Sequence, residues 1–148
     1  MSFSQEVKEE LAKRMGAARH CQMAELAALM HFCGQYGQDR EGNFTIGFQV
    51  ENETVVKKGF TLLKKAFSID TDIDIKEEKM KELHHKFGDL EEPVDEVLLR
   101  SACCRRAFIR GAFLGIGSMS TPEKGYHLEF VTPNEKKIRQ LQEIIQSF

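Results

Sequence analysis

The feature that most constrains this chain of 148 residues is an internal repeat. Gly34 and Gly117 each close an apolar run, and they lie 83 positions apart. Phe44, Ile46 and Phe48 map onto Tyr126, Leu128 and Phe130 at a spacing of 82, and Asn52-Glu53 maps onto Asn134-Glu135 at the same spacing. Three features at nearly one offset describe a tandem duplication. Each copy reads as a buried helix, a glycine stop, an alternating strand and an Asn-capped helix. The first copy runs on into Ile69–Ile75, whereas the second reaches its equivalent point at Phe148. The second copy is therefore expected to be incomplete and the chain a piece of a longer protein.

The local patterns fill in an α+β chain. Phe3, Val7, Leu11 and Met15 recur every four residues and predict an amphipathic helix from Ser4 to Met15. Cys21 to Cys33 is apolar most of the way round and predicts a buried helix stopped by Gly34 and Gly37. Phe44–Val50 alternates as a half-buried strand. The helix after Asn52 is expected to bury Val56, Phe60, Leu63 and Phe67 and to expose Lys57, Lys58, Lys64 and Lys65. Ile69, Ile73 and Ile75 alternate with Asp70, Asp72 and Asp74, which predicts another strand. Residues 77–87 fit either a helix, through Met80, Leu83 and Phe87, or a returning strand. Residues 94–117 read as helical, Tyr126–Val131 as a strand, and the last helix as burying Ile138, Leu141, Ile144 and Ile145. The expected division is an N-terminal helix at 1–18, a first repeat at 19–92 and a truncated second repeat at 93–148.

Composition excludes several classes. Hydrophobic residues make up 41% and charged residues 30%, as in soluble globular proteins. No apolar stretch approaches the length of a membrane span, and the first residues form no apolar leader, so the expected location is the cytoplasm. The net charge is −2, well short of the basic balance of an autonomous DNA-binding domain. Residues 68–99 hold 4 basic and 11 acidic side chains, while residues 100–148 hold 8 basic and 4 acidic. Residues 68–99 are expected to repel phosphate and the last third to tolerate it. Cys21, Cys33, Cys103 and Cys104 form no C-x-x-C pair, and the five histidines offer no second half-site at a metal-ligand spacing. The cysteines are read as small buried hydrophobes, with no metal and no cofactor expected.

Both buried helices carry small residues where two helices could touch. The first has Ala27, Ala28 and Gly34, and the second has Gly111, Gly115 and Gly117. Gly111 and Gly115 lie one turn apart on one face, which permits close backbone approach. These glycines fall late in their helix, unlike a phosphate cradle, which opens a helix N-terminus.

Leu26-Ala-Ala-Leu-Met-His-Phe-Cys-Gly34 and Ile109-Arg-Gly-Ala-Phe-Leu-Gly-Ile-Gly117 resemble the two signature helices of the LAGLIDADG homing endonucleases. The resemblance implies a tandem αββαββ fold, here with its second repeat incomplete. That family places a metal-holding carboxylate before the last glycine of each signature. Those positions are Cys33 and Ile116 in this chain. Mg²⁺ requires oxygen ligands, so the resemblance implies a nuclease scaffold without its two-metal chemistry. Longer stretches resemble the WhiA family of bacterial regulators: Ser2-Phe3-Ser4 with Glu6–Leu11, Arg19–Leu29, Cys104–Leu114 and Pro122–Glu129. This likeness implies the N-terminal part of a DNA-binding transcription regulator of sporulation, cell division and the cell cycle. In that family a helix-turn-helix domain, absent from this chain, follows.

Three functions stay open at this point. The first is a regulator domain built on an inactive nuclease scaffold. It would work at the nucleoid, with DNA bound by the full-length protein and other transcription factors or RNA polymerase as further partners, and no membrane. The second is a protein–protein module without DNA contact. The third is an active homing endonuclease, which lacks its acids. Arg105, Arg106 and Arg110 are the candidate phosphate contacts, weighed against an ordinary solvated face pairing with the acidic 89–96 connector. Asp70, Asp72 and Asp74, if they share a strand face, would oppose docking of that face on DNA.

Overall fold

The computed structural model describes residues 2–125 and 127–148. Tyr126, the expected start of the second alternating strand, lies outside them. Helix α1 (Phe3–Ala12) starts at Ser2, whose hydroxyl accepts from the Gln5 N–H. Helix α2 (Arg19–Cys33) runs directly into strand β1 (Gly34–Gln38), which pairs antiparallel with β2 (Phe44–Phe48). Asn52 caps α3 (Glu53–Phe67) by accepting from the N–H groups of Thr54 and Val55. Helix α4 (Glu77–Phe87) and a 3-10 turn (Glu96–Leu99) lead to α5 (Ala102–Ile116). Strand β3 (Gly117–Met119) pairs antiparallel with β4 (Leu128–Phe130), and Asn134 caps α6 (Glu135–Gln146) by accepting from the Lys137 N–H.

The duplication is visible in three dimensions. α2 and α5 each have 15 residues and begin 83 positions apart. In the first hairpin Gly34 pairs with Phe48, and in the second Gly117 pairs with Phe130. The glycines expected as helix stops and helix-pair contacts thus open strands, with extended backbones at φ −85° and −90°. The sequence reading missed β1 and β3 because neither strand alternates in hydrophobicity.

The core is centred on the α2–α5 pair. Leu26, Ala27, Ala28, Leu29 and Met30 of α2 are fully buried, and Phe108, Ala112 and Leu114 of α5 are buried with them. Each large apolar side chain contributes roughly 1.5–3 kcal/mol on leaving water. α2 is apolar on almost every side because α3, α5 and the 87–99 connector surround it, so it shows little of the one-sided pattern of a surface helix. No helix among the described residues is long and apolar enough to cross a membrane.

Several expectations from sequence need correction. Residues 69–75 are not a strand: the Asp70 carboxylate accepts from the Asp72 N–H at 3.0 Å, and the Asp70 carbonyl accepts from the Ile73 N–H at 3.2 Å. Such side-chain turns offer Asp-rich backbone an alternative to a sheet. Ile73 is accordingly 68% exposed, and only Ile75 reaches the sheet, through a single bridge to Phe44. The three aspartates share no strand face, so they supply no argument about DNA docking. Residues 77–87 are helical. The helix expected over 94–117 is broken, because the Asp95 carboxylate accepts from the Val97 N–H and starts a separate short turn. On α3, Lys58 is buried rather than exposed, while Val56 and Phe60 are only half-buried. On α6, Leu141 and Ile144 are buried, Ile138 is half-buried and Ile145 is exposed.

Candidate functional site at the paired motif helices

In the endonuclease fold, chemistry belongs to the C-terminal ends of the two signature helices. Cys33 ends α2, is 8% exposed, and its thiol donates to the Leu29 carbonyl at 3.2 Å. Burial pushes this thiol up to about 12, only partly opposed by the Lys8 ammonium. It is therefore neutral near pH 7. Ile116, at the end of α5, is half-buried and has no donor atom. Helix α1 packs across this end. The Ser4 hydroxyl accepts from the Met119 N–H at 2.6 Å and donates to the Met119 carbonyl at 2.8 Å. Asn52 donates to Gln5 at 2.6 Å, and the Lys8 ammonium sits 5.7 Å from the centre of the Phe113 ring. The shallow cavity left there, about 230 Å³, is lined by Gln5, Lys8, Asn52 and Gly115 and contains one carboxylate, the exposed Glu51. The signature positions offer neither of the oxygen ligands a hard dication needs.

The small residues divide into two groups. A β-carbon at Gly111 would fall 2.5 Å from the Glu25 carbonyl oxygen and 2.9 Å from the Ala28 methyl. At Gly115 it would fall 3.2 Å from the Cys33 sulfur. These two glycines, with Ala27 and Ala28 buried alongside, sit at the helix crossing. Gly34 and Gly117 do not: a β-carbon there would strike Met30 and Phe113 of the preceding turn of its own helix.

The basic residues are less free than their sequence spacing suggests. Arg110 donates to the Glu25 carboxylate at 2.9 Å. Glu25 is fully buried within α2, and Lys58 completes the group at 3.4 Å from its other oxygen while also donating to the Arg14 carbonyl. Burial lowers the Lys58 pKa, and Glu25 opposes that effect. The pairing partner of Arg110 is thus Glu25, not the 89–96 connector. Arg105 donates to the carbonyls of Leu99 and Arg100 at 3.1 and 3.0 Å. Arg105 and Arg106 both lie over the Phe148 ring, 5.8 and 5.7 Å from its centre. Arg106 alone of the three is exposed. Sequence reasoning missed the buried Glu25–Lys58–Arg110 group. Its signal was a lone carboxylate in an otherwise apolar helix, which has to find cations inside the fold.

The histidine and cysteine spacing also misled. The fold brings His20 and Cys21 against Cys103 and Cys104, with all four ligand atoms within 4.8 Å of one another. His20 and Cys21 map onto Cys103 and Cys104 at the 83-residue offset of the duplication, so the two dipeptides occupy equivalent positions of the two repeats.

Residues 19–87 match the family profile described as the WhiA N-terminal LAGLIDADG-like domain, and residues 105–148 match the WhiA LAGLIDADG-like domain. The chain is 44% identical to a probable cell division protein WhiA of Lachnoclostridium phytofermentans, covering 100% of this chain and 55% of that protein. It is 37% identical to the protein of the same name in Desulforamulus reducens, covering 100% and 53%. The chain spans about half the length of these curated relatives. Among solved structures it resembles full-length DUF199/WhiA from Thermatoga maritima, with TM-score 0.69 and 21% identity, over 100% of this chain and 51% of that one. It also resembles an N-terminal LAGLIDADG domain of DUF199/WhiA, with TM-score 0.67 and 22% identity, over 99% and 75%. The duplicated helix–hairpin unit, the close crossing at Gly111 and these matches lead to one assignment: the chain belongs to the WhiA family, through its LAGLIDADG-like region.

Proposed function

We propose that this chain is the scaffold of a DNA-binding transcription regulator that acts in bacterial cell division and sporulation, and that it does not cut DNA. The observation that carries the reading is the chemistry at the ends of α2 and α5. Cys33 is a buried, neutral thiol and Ile116 a hydrocarbon, where a two-metal nuclease needs carboxylates. The relatives' name supports the cell-division part of the proposal. In this reading the sequence-specific contacts come from a helix-turn-helix domain in the longer protein, RNA polymerase or other transcription factors are further partners, and the working place is the nucleoid.

Two features limit DNA contact by this region. Its net charge is −2, and Arg110 and Arg105 are held by groups of the protein itself. The exposed side of the first hairpin carries neutral Gln35, Thr45 and Gln49, the last donating to Gln35 at 3.0 Å. Fluorescence anisotropy at physiological salt tests the proposal. The longer protein should bind its DNA at about 10⁻⁸ M or tighter, and this chain far more weakly. Tight specific binding by the chain alone would place the DNA-reading surface here. No binding by the longer protein would replace the proposal with a protein–protein module.

A further inference from the structure

We propose that His20, Cys21, Cys103 and Cys104 form a structural zinc site that ties the start of one repeat's signature helix to the start of the other's. The two halves are equivalent positions of the duplication. His20 and Cys21 lie in the first turn of α2, and Cys103 and Cys104 in the first turn of α5. The close α2–α5 pairing turns two dipeptides, neither of which can chelate alone, into one four-ligand cluster.

The geometry suits a tetrahedral ion. His20 Nδ1 lies 3.1 Å from Cys104 Sγ, 3.6 Å from Cys21 Sγ and 3.9 Å from Cys103 Sγ. Zinc bonds of about 2.3 Å to sulfur and about 2.0 Å to nitrogen set tetrahedral N···S edges near 3.5 Å. The three distances straddle that value to within a few tenths of an ångström, and all four ligand atoms lie within 4.8 Å of one another. Three cysteines and one histidine are a known structural zinc set, and soft thiolates select zinc over magnesium. This cluster is unrelated to the lost nuclease centre. Cys21 and Cys33 are twelve residues apart on one helix, or about 18 Å.

The surroundings favour a metal-bound thiolate state. Both dipeptides, and so all three thiols, sit at helix N-termini, where the backbone stabilises negative charge. The Ser101 hydroxyl lies 3.2 Å from Cys103 Sγ, where it can donate to the thiolate and orient it, whereas the Cys104 thiol donates to the His20 carbonyl at 3.6 Å, a contact that a bond to the metal replaces. His20 is exposed and Cys21 and Cys103 are half-buried, so an ion can enter from solvent, while Cys104 is buried beneath them. Binding displaces three thiol protons, leaves the imidazole neutral with its Nδ1 on the metal, and requires no oxidant or reductant.

The test is metal analysis of the purified, reduced chain, followed by Co²⁺ titration of the zinc-free chain. The expected result is one zinc per chain and a cobalt spectrum with thiolate charge-transfer and the intense visible bands of tetrahedral coordination. Cys21→Ser and Cys103→Ser should each weaken binding by more than the roughly 10–100-fold lost when a group hydrogen-bonded to a ligand is replaced, while Cys33→Ser binds like the parent. Zinc should raise the melting temperature of the parent but not of Cys103→Ser. The cobalt spectrum of the unsubstituted chain reports thiolate ligation even if a variant fails to fold. An octahedral cobalt spectrum without charge transfer, equal binding by Cys103→Ser, or a Cys21–Cys103 or Cys21–Cys104 disulfide that persists under reduction would each overturn the proposal.

Discussion

Replacing Gly111 by Ala adds one methyl group at a place where the helix pair has no room for it. In an exposed helix the same change would stabilise by about 1 kcal/mol through backbone propensity. Here the new β-carbon would lie 2.5 Å from the Glu25 carbonyl oxygen, about 1 Å inside ordinary contact. That oxygen belongs to the backbone of the buried middle of α2, so it can yield only if α2 and α5 separate. Overpacking of this kind costs roughly 1–3 kcal/mol, and a rigid neighbour places Gly111 toward the upper end. The net expectation is a loss of about 1–2 kcal/mol, or roughly 2–8 °C in melting temperature for a chain of this size. Gly115→Ala provides the control. Its nearest neighbour is a side-chain sulfur at 3.2 Å, which can shift slightly, so its clash and the propensity gain should nearly cancel. Thermal melts of both variants beside the parent decide the matter. A Gly111→Ala chain as stable as the parent, or more stable than Gly115→Ala, would refute the close crossing.

Glu25→Gln should cost about 3–5 kcal/mol, because it leaves Lys58 buried without its anion; urea unfolding measures this, and adding Lys58→Met to the same chain should recover part of the loss. His31, buried against the Phe87 and Glu92 carbonyls and near Lys137, has its pKa lowered chiefly by desolvation. Its contribution to stability is therefore complete above the unfolded value of about 6.5 and is lost as pH falls through the lower folded value. Denaturation midpoints between pH 7.5 and pH 5 should show that loss, and His31→Gln should remove it. Incubation with supercoiled plasmid and Mg²⁺ or Mn²⁺ should leave the DNA intact; metal-dependent cutting that persists in Cys33→Ala and Ile116→Ala chains would reveal another active site.

The lysine and arginine positions show how far charge patterning alone can mislead. Lys58 follows Lys57 in a run that reads as a wet helix face, yet it points inward because α3 packs against α2 and Glu25 waits there. Arg110 belongs to the same buried group. The basic excess of residues 100–148 is thus partly spent inside the fold, and of Arg105, Arg106 and Arg110 only Arg106 is exposed.

The chain's repeat, its two apolar helices, the Asn caps and the glycine positions were legible from residue order, because each depends on a local period or a nearby backbone group. The vacancy of the nuclease positions was legible too, since Cys33 and Ile116 are read directly from the signatures. Other features required the tertiary structure. The isoleucine–aspartate alternation of 69–75 imitates a strand, but Asp70 closes a turn before any partner strand can pair with it. Strands β1 and β3 exist because a hairpin partner folds back on them, not because their own residues alternate. Glu25, Lys58 and Arg110 meet only when three helices assemble, and His20, Cys21, Cys103 and Cys104 only when α2 and α5 pair. Local hydrogen bonding and periodicity act over a few residues and leave their mark on the sequence. Long-range charge pairing and ligand clustering depend on which helix faces meet, and here those faces approach so closely that Gly111 has no room for a side chain.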